Sequence, residues 1–399
     1  MHSVAMFQGV SRLVAVLAGV VLLLTGCSSG TSSARSTHVS AGRRSSSSRT
    51  VQVSLSHCGE GWSPSQAGPT LLHVRNTDTR AGEVYLTRAR TDQVVAVLDP
   101  LGPGAEGDMS VALGSGSYTV VCSMEDADPV RGPPTTVTGT AAGSPAVAAV
   151  TQTDLIAPTK RYHDIVAGRL RTLVGQTRTL DHDITTGNRA AAQRDWLTAH
   201  LAYESLGAAY GAFGDADGAI NGRPDGLPQG ISDPDFTGFH RIEQLLWHNG
   251  AMPSIGPFSH RLLGDVTTLS SSFGTAQIDP HETVIRAHEI TENTLQVELT
   301  GSSDLGSGSS LATADANLTG TQLVLGQLDG LLRPRYPSTS LVSARIVRAQ
   351  KDLRALLRGG RYPSLGRLTR PQRERINGDF AELTELLAPV ATILEPRRV

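Results

Sequence analysis

Three short stretches of this 399-residue chain set an imidazole and a carboxylate at helical spacing. "TGFHRIEQLLW" (237–247) holds His240 and Glu243, three apart. "AHLAYESLGAAYGAFGDADGAI" (199–220) holds His200 and Glu204, four apart, followed by Asp215 and Asp217. "HETVIRAHEITE" (281–292) holds His288 and Glu292, again four apart. Residues three or four apart share a helix face, so each pair can offer a nitrogen and an oxygen to one ligand. That mixture suits Fe(II), Zn(II) or Mn(II), whereas oxygen-only sets suit Ca(II) or Mg(II). The His240/Glu243 pair has the strongest context. Gly238 permits close approach, and Ile242, Leu245, Leu246 and Trp247 read as buried. A buried carboxylate is costly unless paired. A cation bridging helices supplies a partner, and an arginine is the structural alternative.

Other chemistries lack their signatures. A zincin helix needs His-Glu-x-x-His, and "HEITE" (288–292) ends instead in Glu292. No Gly-x-Ser-x-Gly elbow and no Walker A loop occurs. A blue-copper centre needs a free cysteine with two histidines. Cys122 is followed by Met124 but by no histidine in "SMEDADPVRG", which leaves only His57 and His73. Glu60, Glu125, Asp126 and Asp128 read as solvated loop acids.

The elements that must position these residues follow from composition and period. A net charge of −2 and 39% hydrophobic residues argue against disorder and against bulk nucleic-acid binding. With 4% aromatics there are too few rings for base-stacking platforms. Lys160 and Lys351 are the only lysines, so the arginine excess reads as codon bias, not phosphate recognition. The apolar run "LVAVLAGVVLLL" (13–24), too short for an ordinary membrane span, leads into "LTGC" at 24–27. This resembles a bacterial lipobox, which implies a signal peptide over 1–27, lipidation at Cys27 and an extracytoplasmic, membrane-anchored protein. Residues 28–49 are a Ser-rich tether. Cys58 and Cys122 then remain, and in an exported chain such a pair reads as a disulfide.

From 50 to 140 the text alternates apolar and polar residues in short runs between turn residues, which predicts a small all-β sandwich or barrel. Residues 141–151 form a linker. From 152 to 399 the period becomes helical, as in Val166, Leu170, Leu173 and Val174 or Phe380, Leu383, Leu387 and Val390. Between these end segments the pattern predicts helices over 188–213, 234–248, 257–272, 280–299, 314–333 and 340–357.

The segment "GFHRIE", behind a two-cysteine β region and preceded by "AYESLGAAYGAFGDADGAINGR" (202–223), resembles the EfeO family of extracytoplasmic iron uptake components. That family joins a cupredoxin-like domain to an imelysin-like helical bundle. Tyr203, Glu204, Phe213, Gly214, Asp215, Asp217 and Arg223 keep its second motif. The resemblance implies metal binding through His240 and Glu243, with Glu204 as third ligand and Asp215 or Asp217 as weaker candidates that equally suit a helix cap. It implies iron, Fe(II) or Fe(III), as cargo, with zinc or copper as the alternatives. As partners it implies an iron permease and a haem peroxidase-like protein, as in EfeUOB-type systems. Three departures stand out: Gly207 and Gly211 replace family glutamates, "LTGSSDLGSGSSL" has lost a histidine and most acids, and "LDPLGPG" replaces an acidic turn. A metallopeptidase and a metal-free scaffold lipoprotein are the competing classes.

Overall fold

The computed structural model describes residues 50–63 and 65–397. The signal peptide, Cys27 and the tether lie outside the described residues. Residues 51–138 form nine strands: β1 (Val51–Val53), β2 (Ser65–Gln66), β3 (Gly68–Asn76), β4 (Gly82–Arg88), β5 (Val94–Leu101), β6 (Glu106–Leu113), β7 (Gly116–Met124), β8 (Val130–Arg131) and β9 (Thr135–Thr138). They make a three-stranded sheet, β1-β3-β6, and a six-stranded sheet ordered β2-β9-β7-β4-β5, with β8 beside β7. Alternate residues of both sheets face one core: Val51, Val53, Val74 and Leu113 from the first, Val84, Leu86, Val120 and Val137 from the second. Cys58, just after β1, and Cys122, in β7, are joined at an S–S distance of 2.09 Å. The bond thus ties the loop that leaves one sheet to a central strand of the other.

Ten helices follow: α1 (Gln152–Thr185), α2 (Arg189–Glu204), α3 (Tyr210–Phe213), α4 (Asp215–Asn221), α5 (Gly238–Trp247), α6 (Met252–Ser272), α7 (Pro280–Gln296), α8 (Ser310–Leu332), α9 (Thr339–Arg354) and α10 (Arg370–Ile393). α1 opens on a capping box: the Thr151 hydroxyl accepts from the Asp154 N–H at 3.2 Å, and the Asp154 carboxylate accepts from the Thr151 N–H at 2.8 Å. Its buried residues, among them Tyr162, Val166, Leu170, Leu173 and Leu180, recur every three or four positions, and that stripe packs against α2 and α6. Among the described residues no helix is long and apolar enough to cross a membrane.

The continuous helix predicted over 188–213 does not form. It stops at Glu204, passes through a tight turn at Gly207–Ala209, and resumes as the short α3 and α4. Gly207 sits where a Cβ would come within 3.1 Å of Ile290, so the chain there is pressed against α7. Two glycines in five residues weaken the helix, and this contact fixes the break.

The segment 141–151 does not hang free. Val147 exchanges both backbone hydrogen bonds with Val94 of β5, at 2.8 and 3.0 Å. Val150 accepts from the Arg397 N–H at 2.8 Å, and Ala148 accepts from the Arg335 side chain at 2.8 Å. The β and helical regions belong to one compact unit.

Cys58 and Cys122 are 64 residues apart in sequence, and a cross-link of that span restricts the unfolded chain strongly. The C58A/C122A variant is therefore expected to lose on the order of 2–4 kcal/mol of sandwich stability. Urea denaturation followed by a probe confined to the β region would register the loss, and an unchanged midpoint would refute it.

Candidate metal site

Gly238 begins α5 with φ +74°, and a Cβ there would lie 2.2 Å from the Ile220 carbonyl oxygen. Only glycine accepts both the left-handed conformation and this contact with the end of α4. The close approach sinks α5 into the bundle. Phe239, Ile242 and Leu246 are buried, and so are His240 and Glu243, at 4% and 1% exposure.

The Glu243 carboxylate is fully engaged. Its Oε1 accepts from the N–H groups of Leu305 (3.0 Å) and Ser307 (3.1 Å) and from the Ser307 hydroxyl (2.6 Å). Its Oε2 lies 3.2 Å from His240 Nδ1. Burial by itself pushes Glu243 upward, but the bond to His240, that ring's charge and Ser307 outweigh it, leaving the group below the ordinary carboxylate value. An ionised carboxylate only accepts, so Nδ1 is the ring nitrogen that donates to Glu243.

On α2 the order is reversed. His200 stacks on Trp196, with ring centroids 4.6 Å apart, and its Nε2 lies 3.1 Å from Glu204 Oε1. That is ion-pair distance, but neither ring nitrogen of His200 makes a well-aligned hydrogen bond. Glu204 accepts from Asn221 Nδ2 at 2.7 Å. Asn317, turned with its amide nitrogen toward Glu204, donates to that residue's carbonyl at 3.1 Å and its Oε2 at 3.3 Å. Burial raises Glu204, but His200 first, then Asn221 and the His240 charge, more than offset it and the net shift is downward. Burial lowers His200, while Glu204 and Glu243 bring it above the ordinary value.

The two pairs flank a half-open cavity of about 300 Å³. Glu204 and His240 line it, together with Asn221, Arg223, Arg286, Glu298 and Asn317. His200 and Glu243 are not among the lining residues: each backs its partner. One helix therefore presents a carboxylate braced by an imidazole, and the other an imidazole braced by a carboxylate. The rings of His200 and His240 meet edge to face, 5.3 Å apart.

Glu298 is the lining acid that the sequence did not single out, as it did not Asn221, Arg286 or Asn317. It stands in the turn after α7, accepts from the Ser303 hydroxyl at 2.5 Å, and is pushed up to about 7 by burial first and by the Glu204 charge second. Asp215, expected as a further ligand, is exposed in the first turn of α4 and does not line the cavity. Asp217 accepts from the Tyr203 hydroxyl. In the third pair, His288 Nε2 lies 3.6 Å from Glu292 and its Nδ1 lies 3.1 Å from the Thr384 carbonyl, a contact between α7 and α10.

Among the described residues, Glu83, Asp99 and Glu395 are the one group of three with ligand atoms within 4.8 Å of one another. Arg397 lies 3.7 Å from Glu83 and 3.0 Å from Glu395, so an internal cation already serves that cluster. Glu204, His240 and Glu298 stand further apart than a closed coordination sphere, at the spacing of an open cavity.

Fold and cavity define a helical bundle with an internal histidine–carboxylate site, carried behind a two-sheet β region. Residues 158–390, more than half of the chain, match the Imelysin family model, and the chain belongs to that family. The protein called iron uptake system component EfeO in Yersinia pestis is 26% identical over 330 residues, covering 82% of this chain and 86% of its own. Its namesake in Escherichia coli K12 is 25% identical over 333 residues, with the same coverage. Iron uptake system component EfeM of Pseudomonas syringae pv. syringae B728a is 28% identical over 190 residues, 48% of this chain and 65% of its own. A crystal structure of an imelysin-like protein from Psychrobacter arcticum 273-4 aligns at TM-score 0.48 and 15% identity, over 63% of this chain and 100% of that one. The resemblance read from "GFHRIE" and the segment before it is borne out by the family match and the EfeO relatives.

Two outcomes follow from this geometry. Gly238→Ala forces an L-residue into a left-handed conformation against a carbonyl, and is expected to cost on the order of 1–3 kcal/mol, read from urea midpoints. Glu298 is raised in the fold, so its contribution is complete below its ordinary value of 4.5 and is lost as pH rises through about 7. Glu298→Gln removes that titration. Between about pH 5 and about pH 8 the metal-free parent is expected to lose stability relative to the variant, and parallel profiles would refute the assignment.

Proposed function

We propose that this chain is an extracytoplasmic iron-binding component of an EfeUOB-type uptake system, lipid-anchored through Cys27, with a cupredoxin-like sandwich ahead of its imelysin bundle. The observation that carries this reading is the pairing of opposed braces: His240 and Glu204 line one cavity, each held by a partner on its own helix. The EfeO and EfeM relatives support iron as the cargo. A membrane permease and a haem peroxidase-like protein are the proposed partners.

The donor set suits a borderline cation: one neutral imidazole and two carboxylates, Glu204 and Glu298. Glu243 acts on this reading as the orienting partner of His240, not as a ligand, because its two oxygens already serve four contacts. Glu298, pushed up to about 7 by burial, binds a cation in its ionised form, so cation binding is coupled to loss of its proton. Asp215 and Asp217 shape the turn beneath Glu204. The Cys58–Cys122 bridge leaves no thiolate for a copper centre of the cysteine type, so the sandwich is proposed as a docking module.

Calorimetric titration of the chain lacking residues 1–27 with Fe(II), Fe(III), Zn(II) and Cu(II) tests this. One saturable site is expected. H240A/E204A should abolish it, and Glu243→Ala should weaken it by roughly 10–100-fold, as loss of an outer-sphere partner does. Full affinity in H240A/E204A would sink the assignment.

A further inference from the structure

The cavity is larger and differently charged than a bare cation requires. Its volume of about 300 Å³ is far more than one ion fills. Its lining sets two carboxylates, Glu204 and Glu298, against two guanidiniums, Arg223 and Arg286. Once Glu298 is ionised, these four charges cancel. Adding a divalent or trivalent cation leaves these four groups, taken with the ionised Glu243 behind His240, with a net positive charge.

Arg223 follows α4 and Arg286 lies on α7, so they reach the cavity from different elements. Each has an acid of its own beside it: Arg223 Nε is 3.6 Å from Asp225, and Arg286 Nη1 is 3.1 Å from the half-buried Glu289. Solvent-accessible pairs of this kind hold their partners weakly, whereas a planar or tetrahedral oxyanion takes bidentate bonds from guanidinium. Amides at Asn221 and Asn293 add neutral donors to the same wall.

Resting on the metal-binding reading above, we infer that the cargo enters as a metal–oxyanion complex, with the cation on Glu204, His240 and Glu298 and a small oxyanion co-ligand on Arg223 and Arg286. The co-ligand belongs to the class of carbonate, phosphate or a short polycarboxylate. It fills the remaining volume, restores charge balance and closes the coordination that the wide spacing of protein donors leaves open. Metal and anion then strengthen each other's binding by the same factor.

The test uses the chain lacking residues 1–27 and Fe(II) under anaerobic conditions. Bicarbonate, phosphate and citrate are added singly against a chloride control. Fe(II) affinity is expected to rise about tenfold with at least one anion, within the range usual for linked sites. Radiolabelled phosphate or citrate should co-elute with the protein on gel filtration only when metal is present. R223Q/R286Q should lose both effects, and with two positive charges gone from the lining its Fe(II) affinity in chloride should be no lower than the parent's. Should that variant fail to fold, the singles R223Q and R286Q are each expected to lose part of the linkage. Fe(II) binding that no anion strengthens, or linkage that survives in the arginine variants, overturns this inference and leaves the metal site standing. No Fe(II) binding in any buffer overturns both.

Discussion

A carboxylate at 1% exposure inside a helical bundle is the constraint on which the site depends. Glu243 can remain ionised there only because three donors converge on one of its oxygens and an imidazole meets the other. Those donors come from the loop between α7 and α8, so the loop must close over α5. Closure in turn needs the backbone freedom of Gly306 and Gly308, with φ +128° and +68°. Thus "LGSGSS", which reads as a loss of family acids, folds as the clamp on Glu243.

The same charge orders its surroundings outward. Glu243 accepts from His240 Nδ1, His240 lines the cavity, and across from it Glu204 is held by His200, Asn221 and Asn317. Trp196 ties the two halves: its ring lies against His200 and its indole N–H donates to the Phe239 carbonyl at 2.8 Å. The polar groups sit together inside apolar walls, where the buried His200 nitrogens and Asn221 Oδ1 are left without a well-aligned hydrogen bond.

What the sequence revealed and what it hid divide along locality. His240 with Glu243, and His200 with Glu204, were legible because helical spacing puts each pair on one face before any tertiary contact forms. Which member of each pair faces the cavity was not, since that depends on how α2 and α5 are rotated against each other. Glu298, Asn221 and Asn317 come from three separate segments, and Glu298 sits in a turn with no periodic signal. Asp215 matched a motif, yet its helix presents it to solvent. The break after Glu204 was missed because "SLGAAYGAF" continues the run with no proline or turn cluster, and only the press of Gly207 against Ile290 decides it. The sheets and the long helices, carried by simple periods, were largely visible.

The pairing around residues 144–150 changes how modularity should be understood here. Ser144 donates to Ala112, Val147 ladders onto β5, and Val150 pairs beside Pro396. The boundary between sandwich and bundle is accordingly a seam stitched from both sides, not a point on a string. Cutting at that place would strip partners from a strand edge on one side and from the segment after α10 on the other. The two halves are thus units of description more than separable parts, and a graft of either into another protein would have to carry its share of the stitching.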